Sequence, residues 1–285
     1  MLENLVYYAI TAIIGYIIGV FFSPLREMVK KKLELNARSA EDLLQVVYRP
    51  LYRELCAIRS GLSSPSGIWF RVIDDERYLG LLIDDETRRA LRGLVAVIKE
   101  YNAQMEVLRH ILSGILTRRL TCGDLFSIRK RMLVTEHAVG RFSDLLDFFL
   151  SEEGIFGELL MEVLSRGGIE SRWFKVRHSD FIRDLSVVAQ EIGLSDGEKL
   201  VEEILGYVNS RLADEGVARV VRAARELRAE IVRRIERCQE LLERDMERIR
   251  RWPFWYGVKS YTLIERLKSE QEASGKLRPL RGQDL

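Results

Sequence analysis

The chain has 285 residues, 47% hydrophobic and 31% charged, which excludes a disordered chain and a polytopic membrane protein and leaves ample length for a buried core. Lys+Arg 45 against Asp+Glu 43 gives a net charge of +2, too even for a dedicated nucleic-acid coat, so no nucleic-acid partner is expected. Cys56, Cys122 and Cys238 are an odd, widely spaced set, which argues for free thiols in a reducing compartment rather than a disulfide scaffold.

Few prolines and an abundance of Leu, Ile, Val, Glu and Arg point to an all-α fold. Arginine far outnumbers lysine, and Asn and Gln are scarce. That is a thermophile-like composition, which GC-rich coding also produces.

Leu5 to Phe22 reads LVYYAITAIIGYIIGVFF, without a charge. As a helix it covers about 27 Å, close to the thickness of a hydrocarbon core. A cleavable signal peptide would carry a basic start and small residues at its end. Here Met1 to Asn4 holds only Glu3, and the run closes on Val20, Phe21 and Phe22. The run is expected to be a single-pass transmembrane helix.

Arg26, Lys30, Lys31 and Lys32 follow the span and no basic residue precedes it. Basic flanks stay on the cytoplasmic side, so residues 1–4 are expected outside and the rest in the cytoplasm. Gly15 and Gly19 form G-x-x-x-G with Thr11 on the same face, the geometry through which two membrane helices approach closely. The partners this implies are the lipid bilayer, a second copy of the chain, and an unidentified protein.

Residues 23–38 form a basic juxtamembrane segment after Ser23-Pro24. Met28, Val29 and Leu33 among its lysines suit either an amphipathic stretch along the headgroups or a solvated continuation of the anchor. Residues 39–268 then read as one cytoplasmic helical domain, with a sub-division expected near 165–180, and 269–285 as a disordered tail.

Ser39 with Asp42 suggests a helix cap, and Pro50 should kink the following run or start a second helix. Gly61 to Gly67 is a loop. Leu91, Leu94, Ile98, Tyr101, Met105, Leu108, Leu112 and Ile115 alternate steps of three and four behind Asp84, Asp85 and Glu86. That pattern predicts a long acid-capped helix with a heptad seam and with His110 off it.

Asp124 to Leu164 should be helical, broken near Gly154 and Gly157, with a short polar linker after Gly168. Ser195-Asp196-Gly197-Glu198 reads as a capping box for a helix to Leu212. Val217 to Arg251 is a second long helix, with Val220, Ala224, Leu227, Ile231, Ile235, Cys238, Leu242, Met246 and Ile249 as its stripe. The fold expected is a bundle of long antiparallel helices.

Trp69-Phe70-Arg71-Val72 recurs as Trp173-Phe174-Lys175-Val176, each ahead of a helix ending in Tyr101-Asn102 or in Tyr207-Val208-Asn209. The spacing differs between the copies, which favours coincidence over duplication.

No phosphate-binding loop, dinucleotide fingerprint, H-E-x-x-H or C-x-x-C occurs in the sequence. Neither cofactor nor metal ligand set is assigned, and the two Ile-Asp-Asp-Glu clusters are read as helix caps. His178-Ser179-Asp180 is likewise read as a cap rather than a triad. Trp252, Phe254, Trp255 and Tyr256 beside Arg250 and Arg251 suit bundle packing, a membrane interface or a partner. The functional expectation is a membrane-tethered scaffold or interaction module. The alternatives are a sensor component of a membrane complex or an enzyme without a recognisable motif.

Overall fold

The computed structural model describes residues 26–122, 136–151, 154–191 and 197–252, together with Ile264, Arg266, Leu267 and Ser269. Among these residues the protein is an all-α helical bundle with no strand. No helix among them is long and apolar enough to cross a membrane. The run Leu5–Phe22, with Thr11, Gly15 and Gly19, lies outside the described residues, as do Phe254, Trp255, Tyr256 and Ser195.

The helices, in chain order, are α1 (26–43), α2 (Arg49–Gly61), α3 (Glu76–Leu79), α4 (Asp85–Cys122), α5 (Glu136–Leu150), α6 (Ile155–Arg166), α7 (Ser171–Arg177), α8 (Ser179–Glu191), α9 (Gly197–Leu212) and α10 (Glu215–Arg251). They belong to two compact units. One comprises residues up to Glu54, Arg71–Ala90 and the chain from Cys238; the other comprises Leu55–Phe70 and Leu91–Arg237.

In the first unit α1 passes into α2 through a π-helical turn, Leu44–Tyr48. Pro50 has no N–H to give and its ring would strike the carbonyl one α-turn back. A wider turn removes the clash, and the Arg49 N–H reaches back five residues to the Leu44 carbonyl. The helical path is not broken: α2 begins at Arg49, directly after the π-turn, with Pro50 as its second residue. Ser39 caps nothing: it lies inside the helix and is buried.

Leu43, Val47, Tyr48 and Leu51 form the core of this unit with Ile73, Leu79, Leu242 and Ile249. The buried Tyr48 hydroxyl accepts the Ile83 N–H at 3.0 Å. Glu54 accepts the N–H groups of Arg71, Val72 and Ile73 at 2.6, 2.9 and 2.6 Å, and Asp75 caps the short α3.

Asp84 caps α4 through the Glu86 N–H at 2.8 Å. That bond and Arg244 hold its carboxyl below the usual range. Along α4 Asp84 meets Arg248 and Thr87 meets Asp245. Partners recede on α10 as α4 advances, so these two helix ends run antiparallel.

The second unit holds the rest of α4 and α10 with α5–α9. The α4 seam is buried from Leu91 through Leu112, but its last place goes to Leu116 rather than Ile115. His110 is exposed, as its place off the seam requires. On α10 the stripe starts at Val221 instead of Val220, and Leu227 and Met246 are only half-buried. The polar linker expected after Gly168 is instead two helices, α7 and α8. Phe174 and Phe181 there pack against Phe149 with ring centroids 6.2 and 5.6 Å apart, which gives that stretch a core of its own.

Candidate functional site

Ile68 and Trp69 follow a glycine turn in the second unit. Gly67 has φ +85, a conformation that costs little only without a side chain. A Cβ there would also lie 3.1 Å from the Asn102 Oδ1. The Asn102 side chain projects from α4 and grips Ile68 twice: the Ile68 N–H donates to Oδ1 at 2.9 Å, and Nδ2 donates to the Ile68 carbonyl at 2.8 Å. One amide thus replaces a strand partner for a residue with no secondary structure of its own. Arg109, one turn beyond Met105, donates to the Pro65 carbonyl at 2.8 Å and pairs with Glu106.

Ile68 is buried, whereas Trp69 is 83% exposed. The indole stands beside a recess of about 340 Å³ lined by Gly67, Asn102, Met105, Glu106 and Arg109. Burying an indole is strongly favourable. Its display on a backbone fixed by its neighbours is therefore a feature of this site.

The same lock recurs elsewhere in the unit. Gly167 has φ +84, the Ile169 N–H donates to the Asn209 Oδ1 at 2.8 Å, and Asn209 Nδ2 donates to the Ile169 carbonyl at 2.8 Å. Arg225 donates to the Ser165 carbonyl at 3.2 Å, two residues before its glycine, as Pro65 stands two before Gly67. The Glu-Leu pairs at Glu54 and Glu158 also lie equally far upstream of Trp69 and Trp173.

Unequal spacing argued for coincidence, yet the geometry repeats. What differs is the local backbone. Trp173 sits within α7, whose amides serve the helix, so Glu158 turns to the Arg177 and His178 side chains at 3.0 and 3.5 Å. Glu54 faces a non-helical segment and takes its amides instead.

A wider cleft of about 610 Å³ is lined by Gly157, Glu158 and Glu162 of α6, Trp173 and Arg177 of α7, and Arg228 of α10. Glu162 is buried. The Arg166 Nε lies 2.9 Å from its Oε1, but no hydrogen bond is directed at that oxygen. Burial pushes the His178 imidazole below its ordinary value, against the pull of Glu158.

In the first unit Asp245 is fully buried and accepts the Thr87 hydroxyl at 2.7 Å. Arg244 and Arg248 stand off at 4.0 and 3.9 Å. Desolvation raises its pKa, against the Thr87 bond that lowers it. Asp245 lies three residues after Leu242 and four before Ile249, a core-facing place on α10 that the predicted stripe gave to Met246 instead.

Arg26, Lys30, Lys31 and Lys32 are exposed on α1, and Trp252 is exposed at the end of α10. Among the described residues no group of three or more His, Cys, Asp or Glu is placed to hold a metal ion. No family model, curated protein or solved structure matches the chain.

Proposed function

We propose that the chain is a membrane-tethered interaction module. An N-out anchor at residues 5–22 would carry a cytoplasmic bundle of long antiparallel helices, which engages a protein partner through the face around Trp69. Two copies would pair in the bilayer through Thr11, Gly15 and Gly19.

The observation that carries the partner-binding reading is Trp69 itself, 83% exposed beside a backbone held by Asn102. A solvent-facing indole carried on a held backbone buries a large area on binding with only two side-chain torsions to fix, which is how interface hot spots are built. A photoreactive residue at position 69 should cross-link to another polypeptide in intact membranes, and the same residue at the exposed His110 should not. Equal adducts from both positions, or none from 69, would refute the reading.

A second reading, a sensor or enzyme that binds a small molecule, draws on the buried Glu162 facing the larger cleft beside Arg228. Native mass spectrometry separates the two, since a retained small molecule favours the second.

A further inference from the structure

We propose that the first three turns of α1 lie against an anionic membrane surface, with Met28, Val29, Leu33 and Leu35 sunk among the headgroups and the basic residues on lipid phosphates. The proposal rests on the anchor reading of residues 5–22 and adds what the next segment binds.

Met28 is 71% exposed, Val29 51%, Leu33 39% and Leu35 60%. At about 100° per residue these four share one side of the helix. The same side continues as Ser39, Ala40 and Leu43, and there it enters the core at 7%, 3% and 1% exposure. One apolar stripe thus runs the length of α1, covered by protein from residue 39 onward and bare before it.

The charges are sorted about that stripe. Arg26 and Lys31 fall at its two borders and Lys32 within it, while Glu27 and Glu34 fall on the opposite side, with Lys30 beside them. A basic amphipathic helix with its acids turned away matches an interface of apolar tails beneath negative headgroups.

Position along the chain points to the same occupant. An eighteen-residue run without a charge ends at Phe22, and the described helix begins four residues later. A chain leaving the hydrocarbon core at Phe22 has its next turns in the headgroup layer.

Lys32 also argues against a second copy of the chain covering the stripe. In a two-fold pairing the two Lys32 ammonium groups would be buried in one apolar seam, a like-charge contact with desolvation on both sides. At a bilayer surface the lysine stem lies along the apolar face and its head reaches a phosphate.

The test uses the full chain reconstituted in phosphatidylcholine vesicles with and without phosphatidylserine. Amide hydrogen exchange in peptides covering residues 26–38 should slow in the anionic vesicles relative to the neutral ones, and Lys31→Gln with Lys32→Gln should abolish that difference. Single-cysteine variants Met28→Cys and Leu35→Cys, made in a background lacking the native thiols and matched in helicity to the parent, supply a second readout. Their environment-sensitive labels should be quenched by lipid-borne quenchers, and a label at Glu34→Cys should not. If the chain resists carbonate extraction but exchange over 26–38 is the same in both vesicles and the labels report water, this proposal falls and the anchor stands. If carbonate strips the chain from both vesicles, the anchor reading falls and takes this one with it.

Discussion

Asn102→Ala tests whether the lock beside Trp69 is a structural determinant. The substitution deletes two hydrogen bonds of 2.9 and 2.8 Å to Ile68, a residue only 2% exposed. Its N–H and carbonyl are then left in a part-buried setting without partners. Each such group costs about 1–3 kcal/mol when fully buried. Partial access to water brings the sum to about 2–3 kcal/mol. Asn102→Asp keeps the acceptor and loses the donor, so it should fall between the variant and the parent. Urea unfolding in detergent measures the loss, and limited proteolysis should show new cleavage within residues 62–73 while α4 stays intact. An alanine variant that unfolds within about 0.5 kcal/mol of the parent, with the loop still resistant, would show that the amide is a bystander.

Leu108 is fully buried on the α4 seam, so Leu108→Asp should cost about 3 kcal/mol or more, with lost helicity and aggregation by circular dichroism and light scattering; a folded monomer from a dimeric parent would instead mark the seam as an interface. Asp245 has a raised pKa in the fold, so the folded state holds its proton to higher pH than the unfolded chain and loses stability as pH climbs from the ordinary carboxylate range to that raised value. Asp245→Asn keeps the Thr87 bond and removes this loss, and its stability relative to the parent should rise with pH across that window and then level off, read as Tm against pH. A thiol reagent that cannot cross membranes should leave Cys56, Cys122 and Cys238 unlabelled in intact cells and label them after permeabilisation and denaturation; labelling in intact cells reverses the topology.

Periodicity made α4 legible because packing along a straight helix is a local code: Leu91, Leu94, Ile98, Tyr101, Met105, Leu108 and Leu112 are all buried. The code slipped only at Ile115, where an extra step to Leu116 keeps the core face as the helix drifts from a seven-residue repeat. The stretch just after Gly168 read as a short polar linker because Gly167-Gly168 and a scatter of charges hide α7, although the cap at Ser179-Asp180 did announce α8; the aromatic core of both is supplied by Phe149 of α5.

The Trp69 site was half legible. The W-F echo and the two asparagines are visible in the sequence, but the contact joins Asn102 to the backbone of Ile68, and backbone partners leave no mark on residue identity. The Gly-Ile dipeptide ahead of each asparagine-bearing helix is the signal that could have found it. Asp245 carried a signal of spacing, three residues after Leu242 and four before Ile249, but its charge hid it, and the Thr87 bond that satisfies it comes from far away in sequence.

The π-turn at Leu44–Tyr48 sets the rotational phase of everything upstream of it. One residue more than a regular helix needs is taken up there, so the side that α1 turns outward is offset from the side that α2 turns inward. Deleting Gln45 together with Pro50→Ala would let an ordinary helix run through and swing Met28, Lys32 and Leu35 by about 100° around the axis. The proline that forces the wide turn therefore acts at a distance as an alignment pin: it fixes the side on which Met28, Lys32 and Leu35 stand relative to the buried face of α2.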